Sequence, residues 1–72
     1  MQKLRVGVIG VGHLGQHHAR LYATLPGSTL VGITDRDPKR AQTIADKHGV
    51  RRYPEIAALL PHVDAVSIAV PT

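Results

Sequence analysis

The stretch VGVIGVGHLG, Val6 to Gly15, sets four glycines and five aliphatic residues around one histidine. Glycine removes the Cβ obstacle and admits backbone angles that other residues avoid, so this density marks a main chain that something must approach closely. The run entering it, Leu4 to Ile9, is short, apolar and β-branched, and it ends at Gly10. It reads as a buried parallel strand.

Downstream, apolar or small residues recur at Leu14, Ala19, Leu21, Tyr22 and Leu25 before Pro26-Gly27 breaks the pattern. That spacing predicts a helix over 14–25. Thr29 to Thr34 is a second strand, closed by Asp35. In DPKRAQTIADKHG, Asp37 is a helix N-cap, Pro38 suits the first helical position, and Gly49 suits the C-terminal cap. Between them Ala41, Ile44, Ala45 and His48 share one face. Val50 to Tyr53 is a third strand, Pro54 to Leu60 a short helix with Glu55 near its positive end, and Asp64 to Val70 a fourth strand. Asp64 reads as the cap of the turn before that strand.

The order is βαβαβαβ, which predicts an α/β, Rossmann-type doubly wound parallel sheet with spatial strand order 3-2-1-4. The glycine run now has a context. Gly10-Val11-Gly12-His13-Leu14-Gly15 is G-x-G-x-x-G, it follows a strand and opens a helix, and Asp35 ends the next strand twenty positions past Gly15. In the dinucleotide-binding reading Gly10 makes the tight turn, Gly12 lets a pyrophosphate come against the backbone, and Gly15 lets the helix pack on the sheet. Amides around His13 and Leu14 point at the phosphates, where the helix macrodipole adds about half a positive charge. Asp35 accepts from the adenosine ribose hydroxyls and repels a 2′-phosphate, so NAD is favoured. Arg36 leaves NADP possible, since its guanidinium can stack on adenine or offset the 2′-phosphate charge. The alternative for the whole motif is a tight strand-to-helix turn with no ligand.

Composition bounds the rest. A 72-residue chain is about half a typical domain and buries roughly 60% of its unfolded surface. With two Tyr and neither Phe nor Trp, its core must be aliphatic. The net charge is +4, but nine Lys and Arg are scattered from Lys3 to Arg52, which reads as a solvated basic face and no nucleic-acid surface. There is no cysteine for a disulfide or thiolate metal site. No apolar run reaches about 18 residues and no signal-peptide pattern is present, so the expectation is a cytoplasmic protein without a membrane partner. His13, His17 and His18 lack the spacing and the third ligand of a metal site. They read as packing or exposed residues, with His13 meeting the cofactor through its backbone. Tyr22 and Tyr53 read as packing residues, and Arg51-Arg52 as exposed. No nucleophile constellation, carboxylate pair or Walker lysine is visible, so no catalytic residue is assigned.

The runs VGVIGVGHLGQHHARLY, LVGITDRDPKRA and VDAVSIAVPT together resemble the N-terminal domain of the glucose-fructose oxidoreductase and inositol dehydrogenase (Gfo/Idh/MocA) family. His18, three residues after Gly15, and Ala69-Val70-Pro71-Thr72 carry the resemblance beyond the generic fingerprint. The resemblance implies that Ala69, Val70 and Pro71 line the nicotinamide end of the pocket. It also implies that the catalytic lysine and the substrate domain lie beyond Thr72, and that the full-length protein is a homo-oligomer. The implied activity is hydride exchange with a secondary alcohol of a sugar, polyol or nucleotide sugar. Within the family, GVGHLGQHHARLY is most similar to members oxidising the 3-hydroxyl of UDP-N-acetylglucosamine. The alternative is a non-catalytic NAD(H)-sensing module on the same fold. A chain ending after the fourth strand is expected to leave an apolar edge and to self-associate when isolated.

Overall fold

In a computed structural model, which describes residues 3–69, four parallel strands form one sheet: β1 (Leu4–Ile9), β2 (Ser28–Thr34), β3 (Arg51–Arg52) and β4 (Ala65–Ile68). Their spatial order is β3-β2-β1-β4, as expected of a Rossmann-type winding. The helices between them are α1 (His13–Thr24), α2 (Pro38–His48) and α3 (Ile56–Leu59), the last followed by a 3₁₀ turn over Leu60–His62. No helix among the described residues is long and apolar enough to cross a membrane.

The second helix is built as its sequence dictates. The Asp37 carboxylate accepts from the Lys39 and Arg40 amides, Pro38 stands in the first turn, and Gly49 ends the helix at φ 66°, a left-handed angle that favours glycine. Ala41, Ile44 and Ala45 are buried against the sheet, while His48 is half-buried. The first helix departs from expectation. Its inward stripe is Gly15, His18, Ala19 and Tyr22, whereas Leu21 is 51% exposed and Leu25 lies past the helix end. α3 stops early because Pro61 has no amide to donate, and the chain tightens into the 3₁₀ turn.

Each face of the sheet carries its own core. Val8, Val11, Leu30 and Ile33 pack with Ala19 of α1 and Ala41, Ile44 and Ala45 of α2. On the other side Ile9, Tyr53 and Leu59 form a smaller cluster edged by Ala58, Val63 and Val66. Burying each such Val, Leu or Ile stabilises by about 1.5–3 kcal/mol. Leu30 and Ile33 share a face although strict alternation would oppose them. The cause is a bulge: Val6 pairs with Leu30 but Gly7 pairs with Gly32, so Val31 is an extra residue that inverts the alternation. The paired glycines 7 and 32 then form a flat patch. A Cβ on Gly7 would lie 2.7 Å from Leu59 Cδ2, and one on Gly32 would overlap the Tyr53 ring.

Asp64 does not cap the preceding turn. Its carboxylate accepts from the Arg5 amide at 2.9 Å and from the Arg5 guanidinium at 3.0 and 3.3 Å, and its own amide donates to the Arg5 carbonyl. Two chain segments that start β1 and β4 are thereby tied together. Hydrogen bonding from the Arg5 side chain, then from its backbone, holds the Asp64 carboxyl below its ordinary value. A depressed carboxyl contributes stability that is complete above the unfolded value near pH 4 and is lost as pH falls through the folded one. Asp64→Asn should therefore be slightly less stable than the parent at pH 7, with the difference shrinking as pH is lowered below about 4. Urea midpoints of both proteins along a series of falling pH check this.

Candidate functional site

The loop between β1 and α1 sits at the carboxyl ends of the strands, where β1 separates β2 on one side from β4 on the other. Gly10 turns the chain at φ 88°, its amide donating to Thr34 O at 2.8 Å. A Cβ there would overlap the Ala69 carbonyl, and a Cβ on Gly15 would overlap the Gly10 carbonyl. Both glycines are therefore demanded by packing alone. Val11 is fully buried in the larger core and anchors the loop from below.

Gly12 is different. At φ −65° and ψ −165° its backbone suits any residue, and among the described residues a Cβ would meet nothing but Arg40 Nη1, at 3.8 Å. Among the described residues neither strain nor internal contact accounts for glycine there, and they leave open the space that a side chain would fill in front of the helix. The same helix end lacks a side-chain cap and has no acidic residue in its first turn. The first amides of α1, from His13 and Leu14 onward, are those that an α-helix cannot satisfy internally. α2 spends Asp37 on that task, while α1 presents its positive end to the opening.

Asp35 stands where the sequence places it, at the end of β2, and the structure adds what holds it. One carboxylate oxygen accepts from the Val11 amide at 2.7 Å and the other from the Asp37 amide at 2.8 Å. The side chain is only 9% exposed, so the charge is fixed in direction by two backbone donors. Each oxygen keeps a further lone pair for a ligand hydroxyl. Arg36 follows it, exposed. Arg40, which sequence reading missed, reaches back from the first turn of α2 to bring Nη1 4.0 Å from the Asp35 carboxylate. The Asp37-Pro38 helix start was the available signal, since it turns residue 40 toward the end of β2.

On the opposite side Ala69 is buried against the loop, its amide donating to Ile9 O at 2.9 Å. Val70 and Pro71 lie outside the described residues. His18 is half-buried, with Nδ1 2.9 Å from Ser67 Oγ of β4. Among the described residues no group of three or more His, Asp or Glu side chains could hold a metal. The donor set is instead one for an elongated ligand with an anionic centre: a carboxylate at one end, glycine backbone and helix amides in the middle, and the end of β4 beyond.

Residues 4–72 match the sequence profile of an oxidoreductase family described as having an NAD-binding Rossmann fold, Gfo/Idh/MocA. The chain belongs to that family. Within it the whole chain is 49% identical to UDP-N-acetylglucosamine 3-dehydrogenase of Acidithiobacillus ferrooxidans, and covers 22% of that protein. The crystal structure of that enzyme superposes at a TM-score of 0.91 over the full chain. Inositol 2-dehydrogenase of Acidothermus cellulolyticus is 39% identical over 94% of the chain and 21% of its own length. GenD2 of gentamicin A biosynthesis, solved in complex with NAD, is 29% identical over 99% of this chain and 21% of its own, at a TM-score of 0.91. The segment thus spans about a fifth of these Gfo/Idh/MocA proteins, the part that carries the NAD-binding Rossmann fold. Dehydrogenase relatives do not favour the non-catalytic sensor.

Proposed function

We propose that this segment holds NAD in an oxidoreductase whose longer chain exchanges hydride with a secondary alcohol of a sugar, polyol or nucleotide sugar. The observation that carries the reading is Gly12, a glycine that the fold itself does not need, placed at an open helix N-terminus. A pyrophosphate fills the space and the charge that this residue leaves. Gly10 and Gly15 support the same reading by shaping the loop, and His13 and Leu14 contribute backbone donors to the phosphates. Asp35 receives the adenosine ribose hydroxyls, Arg36 lies at the adenine edge, and the chain leaving β4 through Ala69, Val70 and Pro71 borders the nicotinamide half.

The bound nicotinamide supplies the hydride acceptor or donor. The work of this chain is to hold the cofactor in one orientation across the strand ends, so that the ring faces whatever the remainder of the protein brings. The 49% identity to a UDP-N-acetylglucosamine 3-dehydrogenase supports that nucleotide sugar as the substrate of the whole protein, with oxidation at its 3-hydroxyl. NAD reduction by the full-length protein should accordingly be faster with UDP-N-acetylglucosamine than with an inositol.

Cofactor binding is tested directly by titrating NADH and NADPH and following nicotinamide fluorescence, which no tryptophan of the chain obscures. The parent chain should prefer NADH. Asp35→Ala should lose that preference, with NADH binding weakened about tenfold or more, the value of charge-assisted hydrogen bonds. Arg40→Ala should sharpen the preference by roughly tenfold, because it removes the cation nearest the Asp35 charge. A folded chain that binds neither nucleotide would overturn the reading and leave the glycine turn purely structural.

A further inference from the structure

The outer strand of the sheet is weakly held. β4 has four residues, none of them fully buried, and Ile68 is 62% exposed. Among the described residues its ladder partner is β1, through pairs from Val6 with Ala65 to Ile9 with Ile68. Asp64 ties the start of β4 to Arg5, and Val66 packs at the edge of the smaller core; its carboxyl end meets α1 in a seam. Successive turns of that helix present Gly15 and His18, and these meet Ala69 and Ser67, alternate positions on one side of the extended chain. At Gly15 the fit is steric, with the Ala69 Cβ 3.5 Å from where a side chain would begin. At His18 it is polar, Nδ1 to Ser67 Oγ at 2.9 Å. Either tautomer of the neutral ring supports this bond, since a hydroxyl both donates and accepts.

The rest of the site is tied down elsewhere. Thr34 O, the Asp35 carboxylate and Gln16, whose side-chain amide donates to Val11 O, hold the loop toward β2 and α1. A dinucleotide lies across the strand ends at the point where strand order reverses, here between β1 and β4. With Asp35 marking the adenosine half on the β2 side, the nicotinamide half falls on the β4 side. We infer that His18 is a positioning residue: through Ser67 it holds the carboxyl end of β4 against the glycine loop and so sets the wall that meets the nicotinamide, without touching the cofactor. This rests on the dinucleotide reading of the site.

The test compares NADH with ADP-ribose, which carries the adenosine and both phosphates but no nicotinamide. On the full chain, His18→Ala and Ser67→Ala should each weaken NADH binding about fivefold, the value of one side-chain hydrogen bond, and leave ADP-ribose affinity unchanged. The double variant should be no weaker than either single one, because both remove the same bond. His18→Asn, whose amide can reach Ser67 from the Nδ1 position, should restore most of the NADH affinity and serves as the folded comparison if alanine at 18 destabilises the helix. Equal loss for both ligands would make His18 a general prop of the fold and overturn the proposal. Unchanged NADH affinity in Ser67→Ala would overturn it as well. Failure of the parent chain to bind either ligand would remove the dinucleotide reading itself, a result visible before any variant is made.

Discussion

Gly12→Val should lose NADH binding while the chain remains folded. The position needs no special backbone angle, and among the described residues a Cβ there would meet only the end of Arg40, which is 48% exposed and free to swing away. Valine is a poor N-cap, so a cost of about 1 kcal/mol in stability is expected. Its methyl groups would occupy the space in front of the helix amides, and forcing a ligand past such an insertion costs about 1–3 kcal/mol, roughly ten- to a hundredfold in Kd. Gly12→Ser separates the two effects. Serine caps a helix well, so this variant should match or exceed the parent in thermal stability and still bind NADH more weakly. If both variants bind as the parent does, the opening at Gly12 is not where the pyrophosphate lies.

Gly15→Ala should do the reverse and damage the fold. By helix propensity alone, alanine inside α1 would stabilise by about 1 kcal/mol. The new Cβ would instead overlap the carbonyl of Gly10, a backbone group held in place by the Gly10 amide bond to Thr34 O and by the neighbouring Ala69. Backbone cannot step aside as a side-chain tip can, so the steric cost should reach about 3 kcal/mol or more and reverse the sign. A domain of this size is stable by roughly 4–11 kcal/mol, so the loss is a large fraction of the whole. Gly27→Ala supplies the contrast. A Cβ there meets nothing within 4 Å among the described residues, and stiffening the unfolded chain should leave the variant neutral or more stable by up to about 1 kcal/mol. Urea midpoints for the two variants should move in opposite directions, and a shared direction would refute the packing argument.

These two predictions divide the glycine motif between the protein and its ligand, a division that spacing alone does not make. G-x-G-x-x-G with Asp35 beyond it was readable because each requirement is local: a strand run, a turn, a helix start, an acid at the next strand end. The same holds for α2, where Asp37, Pro38 and Gly49 act on residues within a turn of themselves. Strand order followed from the alternation of elements taken with the glycine motif after β1, which together point to the Rossmann-type winding. Membership of the Gfo/Idh/MocA family was likewise legible, because its marks lie in short runs at the strand ends.

What escaped the sequence is what depends on partners far along the chain. Asp64 looks like a turn cap until Arg5, 59 residues away, is seen to occupy its carboxylate. His18 looks like one of three loosely spaced histidines until Ser67, 49 residues away, stands opposite it. Leu21 carries an apolar label that implies burial, yet the inward face of α1 is set by where Gly15 must sit on the loop, and that rotation turns Leu21 to the surface. The extra residue at Val31 leaves no mark in composition or hydropathy, because a bulge is defined only against the strand it pairs with. The order of elements and the two ends of α2 could be read from the sequence alone, since these follow from backbone sterics and short-range hydrogen bonding. Which glycine the fold spares, which cation stands beside Asp35 and what braces the end of β4 came from the folded chain, because each is a contact between segments that connectivity leaves unrelated.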